Sequence, residues 1–198
     1  MALLELKPRR PDRGPAPCDA GADSLASLAS ARAGDRAAFG RLVREFQGLA
    51  FGVALRICGQ RADAEEIAQD AFLQLHAQLG ALQDEHHLRH WLIRTVSHRA
   101  IDRLRQRERR PAGSGDARID ALAAPAVDED PLLAQALARL LGELAGPARA
   151  VLVLRFQEDL DPAEIAAALD MPVNTVKSHL RRSLEWLRNA APELVHEP

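Results

Sequence analysis

Asp161-Pro162-Ala163-Glu164-Ile165-Ala166-Ala167-Ala168-Leu169-Asp170-Met171-Pro172-Val173-Asn174-Thr175-Val176-Lys177-Ser178-His179-Leu180-Arg181-Arg182 is the stretch on which the fold of the second half turns. Asp161, Pro162 and Glu164 make a helix start: a cap, a proline in the first turn, and a glutamate placed to reach back to the cap. Ile165, Ala166 and Leu169 share the buried side of that helix, and Asp170-Met171-Pro172 break it. Asn174 is expected to cap the next helix, which runs through Val176, Leu180, Leu184 and Leu187. Ala166 is small where two helices must approach, Asp170 follows four positions later, and Val176 comes ten after Ala166. This spacing predicts a helix-turn-helix. Aspartate at the turn is tolerable because it enters the left-handed region more readily than most residues.

The outer side of the second helix carries short polar groups near its start, Asn174, Thr175 and Ser178, with Lys177, Arg181 and Arg182 beside them. Short polar side chains can reach base edges, and long basic ones reach phosphates. The plain alternative is a helical hairpin with a solvated basic face, and the matched spacing argues against it.

Upstream, Leu132, Leu133, Ala136, Leu137, Leu140, Leu141 and Leu144 recur at helical spacing, and Pro147 opens a helix bearing Ala150, Val151, Leu154 and Phe156. Further back, Pro111 to Asp130 has no sustained amphipathic period and reads as a flexible linker. Before it lies a long helical block. Asp35 caps a helix through Phe39, Leu42, Val43, Phe46, Leu49, Phe51, Val53, Ala54 and Ile57, with Gly59 as its stop. Asp63-Ala64-Glu65-Glu66 reads as a capped start, and Ala64, Ile67, Ala68, Ala71, Phe72, Leu75 and Leu79 form one face, with Gly80 as the stop. Leu82 to His87 reads as a loop. A last helix, from about Leu88 to Arg109, buries Leu92, Ile93, Val96, Ala100, Ile101 and Leu104. The expected fold class is all-α: two small helical domains joined by a flexible linker, the C-terminal one holding the helix-turn-helix. The expected bounds are a disordered tail over 1–22, domains over 23–110 and 131–192, and a linker over 111–130.

The formal net charge of this 198-residue chain is only -2, but the charge is segregated. Arg89, Arg94, Arg99, Arg103, Arg105, Arg107, Arg109, Arg110 and Arg118 crowd one segment, opposed there only by Asp102, Glu108 and Asp116. Acidic residues collect at Asp63 to Asp70 and at Asp128 to Asp130. Such a chain can hold a polyanion on one face and another partner elsewhere. Trp91, next to His86, His87 and His90, heads the basic helix and suits a DNA strand whose bases leave the stack; a core tryptophan under a solvated basic face is the plain alternative. On the acidic helix, Glu65, Glu66, Gln69, Asp70 and Leu73 point away from the apolar face. An apolar residue among acids hints at a protein partner; without further context, simple solubilising charge is the favoured plain alternative.

Other chemistries find little support. No metal and no cofactor is expected: the histidines lack partners at ligand spacing, and there is no phosphate-binding glycine loop or nucleophile elbow. No apolar run approaches the roughly 20 residues of a membrane span, so no membrane insertion is expected. Cys18 and Cys58 are the only cysteines, which points to a reducing, cytoplasmic compartment rather than a disulfide framework, and Cys58 reads as an inert buried thiol.

Three motifs in order now resemble a known family. Asp63-Ala64-Glu65-Glu66-Ile67-Ala68-Gln69-Asp70-Ala71-Phe72-Leu73 is similar to the polymerase-binding helix of extracytoplasmic-function sigma factors. Leu88-Arg89-His90-Trp91-Leu92-Ile93-Arg94-Thr95-Val96, with Ala100-Ile101-Asp102-Arg103-Leu104-Arg105, resembles their minus-ten recognition helix. Glu164-Ile165-Ala166 with Thr175-Val176-Lys177-Ser178-His179-Leu180 resembles their minus-thirty-five domain. The resemblance spans about Ser24 to Ala191. It implies a non-enzymatic, cytoplasmic specificity subunit whose partners are core RNA polymerase, promoter DNA and an anti-sigma factor. Polymerase would be bound through Glu65, Glu66, Gln69, Asp70 and Leu73. The minus-ten element would be met by Trp91, Arg94, His98, Arg99, Arg103 and Arg105, with a flipped base held by the segment from Leu82 to His90. The minus-thirty-five element would be met by Asn174, Thr175, Lys177, Ser178, Arg181 and Arg182. Three departures stand out: His98 replaces a frequent Asn, and Asp159 and Asp170 stand where Gly is common.

Two rivals remain. A response-regulator-type helix-turn-helix protein would carry a strand-bearing receiver before the linker, a pattern the first block lacks. A metal-dependent nucleic-acid hydrolase would use the carboxylates from Asp63 to Asp70.

Overall fold

The computed structural model describes residues 27–109 and 131–190, and the expectations for the 1–22 tail, for Arg110 and for the 111–130 linker fall outside them. A short helix over 27–32 (α1) precedes α2 (Arg36–Cys58), α3 (Arg61–Gln78) and α4 (Glu85–Glu108). The second block holds α5 (Pro131–Glu143), α6 (Gly146–Phe156), α7 (Pro162–Leu169) and α8 (Val173–Ala190). The described residues contain no strand.

Local signals set several helix ends. The Asp35 carboxylate accepts from Ala37 N at 2.8 Å and starts α2. Gly59, at φ 74°, ends α2 in the left-handed conformation that glycine enters without a Cβ penalty. α7 has the full reciprocal cap: Asp161 Oδ1 accepts from Ala163 N and Glu164 N, and Glu164 Oε2 accepts from Asp161 N.

Three expected boundaries are corrected. α3 begins at Arg61, so Asp63 sits inside the first turn and is not the cap. Its carboxylate is instead drawn to α4, where Arg103 Nη1 donates at 2.9 Å and Arg107 Nη2 lies at 2.7 Å. α4 starts at Glu85 because Asp84 Oδ1 caps His87 N at 2.8 Å, so the loop is only Leu82 to Asp84. α8 starts at Val173, which puts Asn174 within the first turn; Pro172 supplies the carbonyl that accepts from Thr175 N at 2.8 Å. Gly80 lies in a single 3-10 turn, Leu79–Ala81, that follows α3.

The apolar faces of α2, α3 and α4 close on one another. Leu42, Val53 and Ile57 of α2 meet Ile67 and Leu75 of α3, and Leu88, Leu92, Ile93 and Val96 of α4, all essentially inaccessible to water. Each such side chain contributes about 1.5–3 kcal/mol by leaving water. The second block does not stand apart from this core. α6 packs against both α2 and α4, and Val151, Leu154, Ile165 and Val176 belong to the same buried cluster. Close approach is possible because α6 begins at Gly146, where a Cβ would lie 3.2 Å from Leu104 Cδ1. Arg149, only 5% exposed, fixes this junction: Nη1 donates to Ile57 O of α2 at 2.8 Å, and Nη2 donates to Gly142 O at 2.6 Å.

Candidate nucleic-acid and protein interfaces

α7 and α8 meet as the sequence spacing requires. Ala166 and Val176 are both buried, and the turn is closed by Met171 N donating to Ala166 O at 3.1 Å. Asp170 adopts φ 51°, ψ 46°, the left-handed cap of α7. With the turn so fixed, Asn174, Thr175, Lys177, Arg181 and Arg182 all lie exposed on one side of α8, and Ser178 is half-buried beside them. Arg181 is loosely paired with Glu185 at 3.6 Å, one helical turn on. The structure therefore brings the six expected minus-thirty-five residues together on one open helix face. His179 lies next to them, its pKa lowered by burial and then by the charge of Arg182.

The outer side of α3 presents Glu65, Glu66, Gln69 and Leu73, all exposed, with Asp70 half-buried. Leu73 is 64% exposed, more than the other large apolar side chains left in contact with water among the described residues. It borders a surface depression of about 460 Å³ lined by Phe39, Val43, Gln69, Phe72, Leu73 and His76. Sequence reading treated Phe39, Val43 and Phe72 as plain core. The signal that could have separated them was Phe39 and Val43 recurring one turn apart on the edge of the α2 face, opposite an exposed leucine.

Several of the carboxylates and the arginines, read as separate surfaces, are partners. Arg99 donates from Nη1 to Asp70 Oδ2 at 2.8 Å and from Nη2 to Gln74 Oε1 at 3.1 Å. Arg103 links Asp63 and Glu66, the second at 2.9 Å, and this cation holds the Glu66 carboxyl below its ordinary pKa. Arg105 pairs within α4 with Asp102 at 3.3 Å. Trp91 is partly buried, and its indole N–H donates to Gln78 Oε1 at 3.2 Å. Arg94 and His98 face the second block, where Arg94 meets Asp170 and Ala167 O and His98 meets Ala168 O. The six expected minus-ten residues thus share one helix but not one free surface.

His86 and His90 stack one turn apart on α4 with their Nε2 atoms 3.1 Å apart. No third ligand joins them: no group of three or more His, Cys, Asp or Glu among the described residues could hold a metal. Cys58 is buried, and burial pushes its thiol pKa up, which suits an inert thiol rather than a nucleophile.

Residues 42–110 match the Sigma-70 region 2 model and residues 134–187 the Sigma-70, region 4 model. The chain belongs to the sigma-70 family. This sigma factor is of the extracytoplasmic-function type. It is 27% identical to the ECF RNA polymerase sigma factor SigW of Bacillus subtilis over 175 residues, which cover 81% of this chain and 92% of that protein. It is 29% identical to the RNA polymerase sigma-H factor of Pseudomonas aeruginosa, covering 83% and 91% respectively. In three dimensions it is similar to CnrH, solved in complex with the cytosolic domain of CnrY, with a TM-score of 0.60, 27% identity, and coverage of 85% of this sigma factor and 98% of that chain. The fold is also that of the sigma factor RpoE from Bartonella quintana, at a TM-score of 0.61 and 17% identity. No helix among its described residues is long and apolar enough to cross a membrane.

Proposed function

We propose that this sigma factor acts in the cytoplasm as a non-enzymatic subunit. It binds core RNA polymerase through α3 and directs it to promoters through α4 and α8. The observation that carries the reading is the order of matched units, region 2 before region 4, with the six polar residues of α8 gathered on an exposed face.

Glu65, Glu66, Gln69, Asp70 and Leu73 dock on the polymerase, with Leu73 supplying the apolar contact and the acids steering association. Asn174, Thr175 and Ser178 lie near the α8 N-terminus, where short side chains reach base edges in the major groove, while Lys177, Arg181 and Arg182 reach bases or phosphates. Trp91, Arg94, His98, Arg99, Arg103 and Arg105 serve the minus-ten element. The functional units are the 23–110 and 131–192 domains joined by the 111–130 linker. Promoter opening is a population shift, favoured by contacts available only once a base has left the stack. An anti-sigma protein is the expected inhibitory partner, and the apolar depression beside Leu73 offers it a foothold.

Run-off transcription with core polymerase, on DNA upstream of the chain's own gene, tests the reading. Protein-dependent transcripts starting at a fixed distance from a shared upstream element are expected. No transcript, together with no capture of core polymerase, would leave a DNA-binding regulator that works without polymerase.

A further inference from the structure

Helix α4 carries His86 and His90 four residues apart, so both rings project from one face, one turn from each other. Their Nε2 atoms are 3.1 Å apart, while the ring centroids are 4.3 Å apart and the planes are tilted by 49°. The nitrogens therefore converge more closely than the rings do. At this separation they cannot both direct a proton at each other, so at least one presents a lone pair. His86 is exposed and His90 half-buried, which leaves the pair open to solvent on one side. No role falls to either ring among the polymerase and promoter contacts proposed above.

A cation that takes both lone pairs suits this spacing. Imidazole nitrogens bind zinc at about 2.0–2.1 Å, so two on one ion stand about 2.9 Å apart at a right angle and about 3.3 Å apart at the tetrahedral angle. The observed 3.1 Å falls between the two. Histidines at i and i+4 on one helix face are the pairing by which metalloproteases hold zinc. Imidazole suits zinc, copper and nickel, whereas magnesium and calcium take oxygen ligands. The surroundings tolerate the added charge. Arg89 and His87 oppose a cation beside His90, but the Glu164 carboxylate of α7 favours it, and Arg89 is offset by Glu158 at 2.6 Å. His87 is engaged away from the pair, its Nδ1 accepting from Gln83 N at 3.3 Å.

We propose that His86 and His90 form an exchangeable site for a divalent transition metal of the nickel, copper and zinc group, with water completing the shell. Two protein ligands leave open positions, unlike the closed four-ligand sites that hold a structural zinc, so occupancy follows the concentration of the ion. Bound there, the metal ties the first turn of α4 to the second and places positive charge in the segment from Leu82 to His90. The site stands on the geometry of the pair and does not depend on that segment's meeting DNA.

The test uses the untagged full chain in a buffer that does not bind metals. Calorimetric titration with Ni2+ is expected to show saturable binding that an excess of Mg2+ does not displace. His86→Gln and His90→Gln are each expected to weaken it by more than about tenfold, since removing even a group that only orients a ligand costs that much. His87→Gln is expected to keep the parent affinity. Glutamine is a good helix former, and circular dichroism without metal checks that each variant keeps its helices. A second measurement needs no variant: electron paramagnetic resonance of the parent with an equimolar amount of Cu2+ is expected to show two imidazole nitrogens on one copper. The site is overturned by the absence of saturable Ni2+ binding, by an affinity unchanged in the His86→Gln, His90→Gln double variant, by loss of binding in His87→Gln, by displacement with Mg2+, or by copper held through fewer than two imidazoles.

Discussion

Arg181 stands on the open face of α8 with only a loose intrahelical partner, so its interaction with DNA is not offset by a strong contact it must give up. Arg181→Ala is expected to weaken promoter binding by about 1–3 kcal/mol, with the loss concentrated at one base position if it reads a base; competition binding against single-base operator variants measures this, and an equal loss on every sequence marks a phosphate contact instead. His90 gives a pH signature. Its pKa is lowered from 6.5 first by burial and then by the neighbouring His86, with Arg89 and His87 adding to the effect and Glu164 opposing it. The unfolded chain therefore binds the proton more readily, and stability contributed here is full above pH 6.5 and declines as pH falls towards the lower folded value. Urea melts between pH 7.5 and 5.5 are expected to show this decline, and His90→Gln to flatten it. What the sequence made legible at this scale was local: Asp35, Gly59 and Asp161 act within a turn of themselves. Arg99, Arg103 and Arg94 looked like free cations because their partners lie 29 to 76 positions away along the chain, and only the packing of α3, α4 and α7 brings them together.

At the scale of the element, α7 depends on its cap. It has eight residues, below the length at which a helix is stable alone, and Asp161 satisfies two of its first amide groups. Asp161→Ala is expected to cost about 0.5–2 kcal/mol in a thermal melt and to loosen the helix-turn-helix in hydrogen exchange, while α3 keeps its protection. The α3 surface gives a complementary outcome. Asp70→Lys places a like charge beside Arg99, which now pairs with Asp70 at 2.8 Å, and reverses the acidic face; it is expected to abolish holoenzyme assembly in a pull-down while the chain still binds DNA through α8. Two of the misplaced helix starts share one cause. α3 and α4 each begin with a turn, Arg61-Ala62-Asp63 and Glu85-His86-His87, that precedes the buried stripe, and apolar spacing alone starts both helices too late.

For the whole molecule, the two sequence-defined blocks share a core, which apolar periodicity within either block could not reveal. α6 reads as an ordinary buried helix, and nothing in its spacing says that half its partners belong to α2 and α4. Arg149 is the polar residue that makes this junction specific, and its guanidinium serves carbonyls of both blocks. Arg149→Met is expected to cost about 1.5–3 kcal/mol for the charged hydrogen bonds lost. Calorimetry is expected to show one transition in the parent and two separated transitions in the variant. The left-handed aspartate at 170 has a consequence in heredity. Codons for aspartate and glycine differ at one base, so a single transition would remove the carboxylate and ease the backbone together. Lineages can thus loosen or restore the contact between the halves of this protein in one viable mutational step, with no poorly folded ancestor in between.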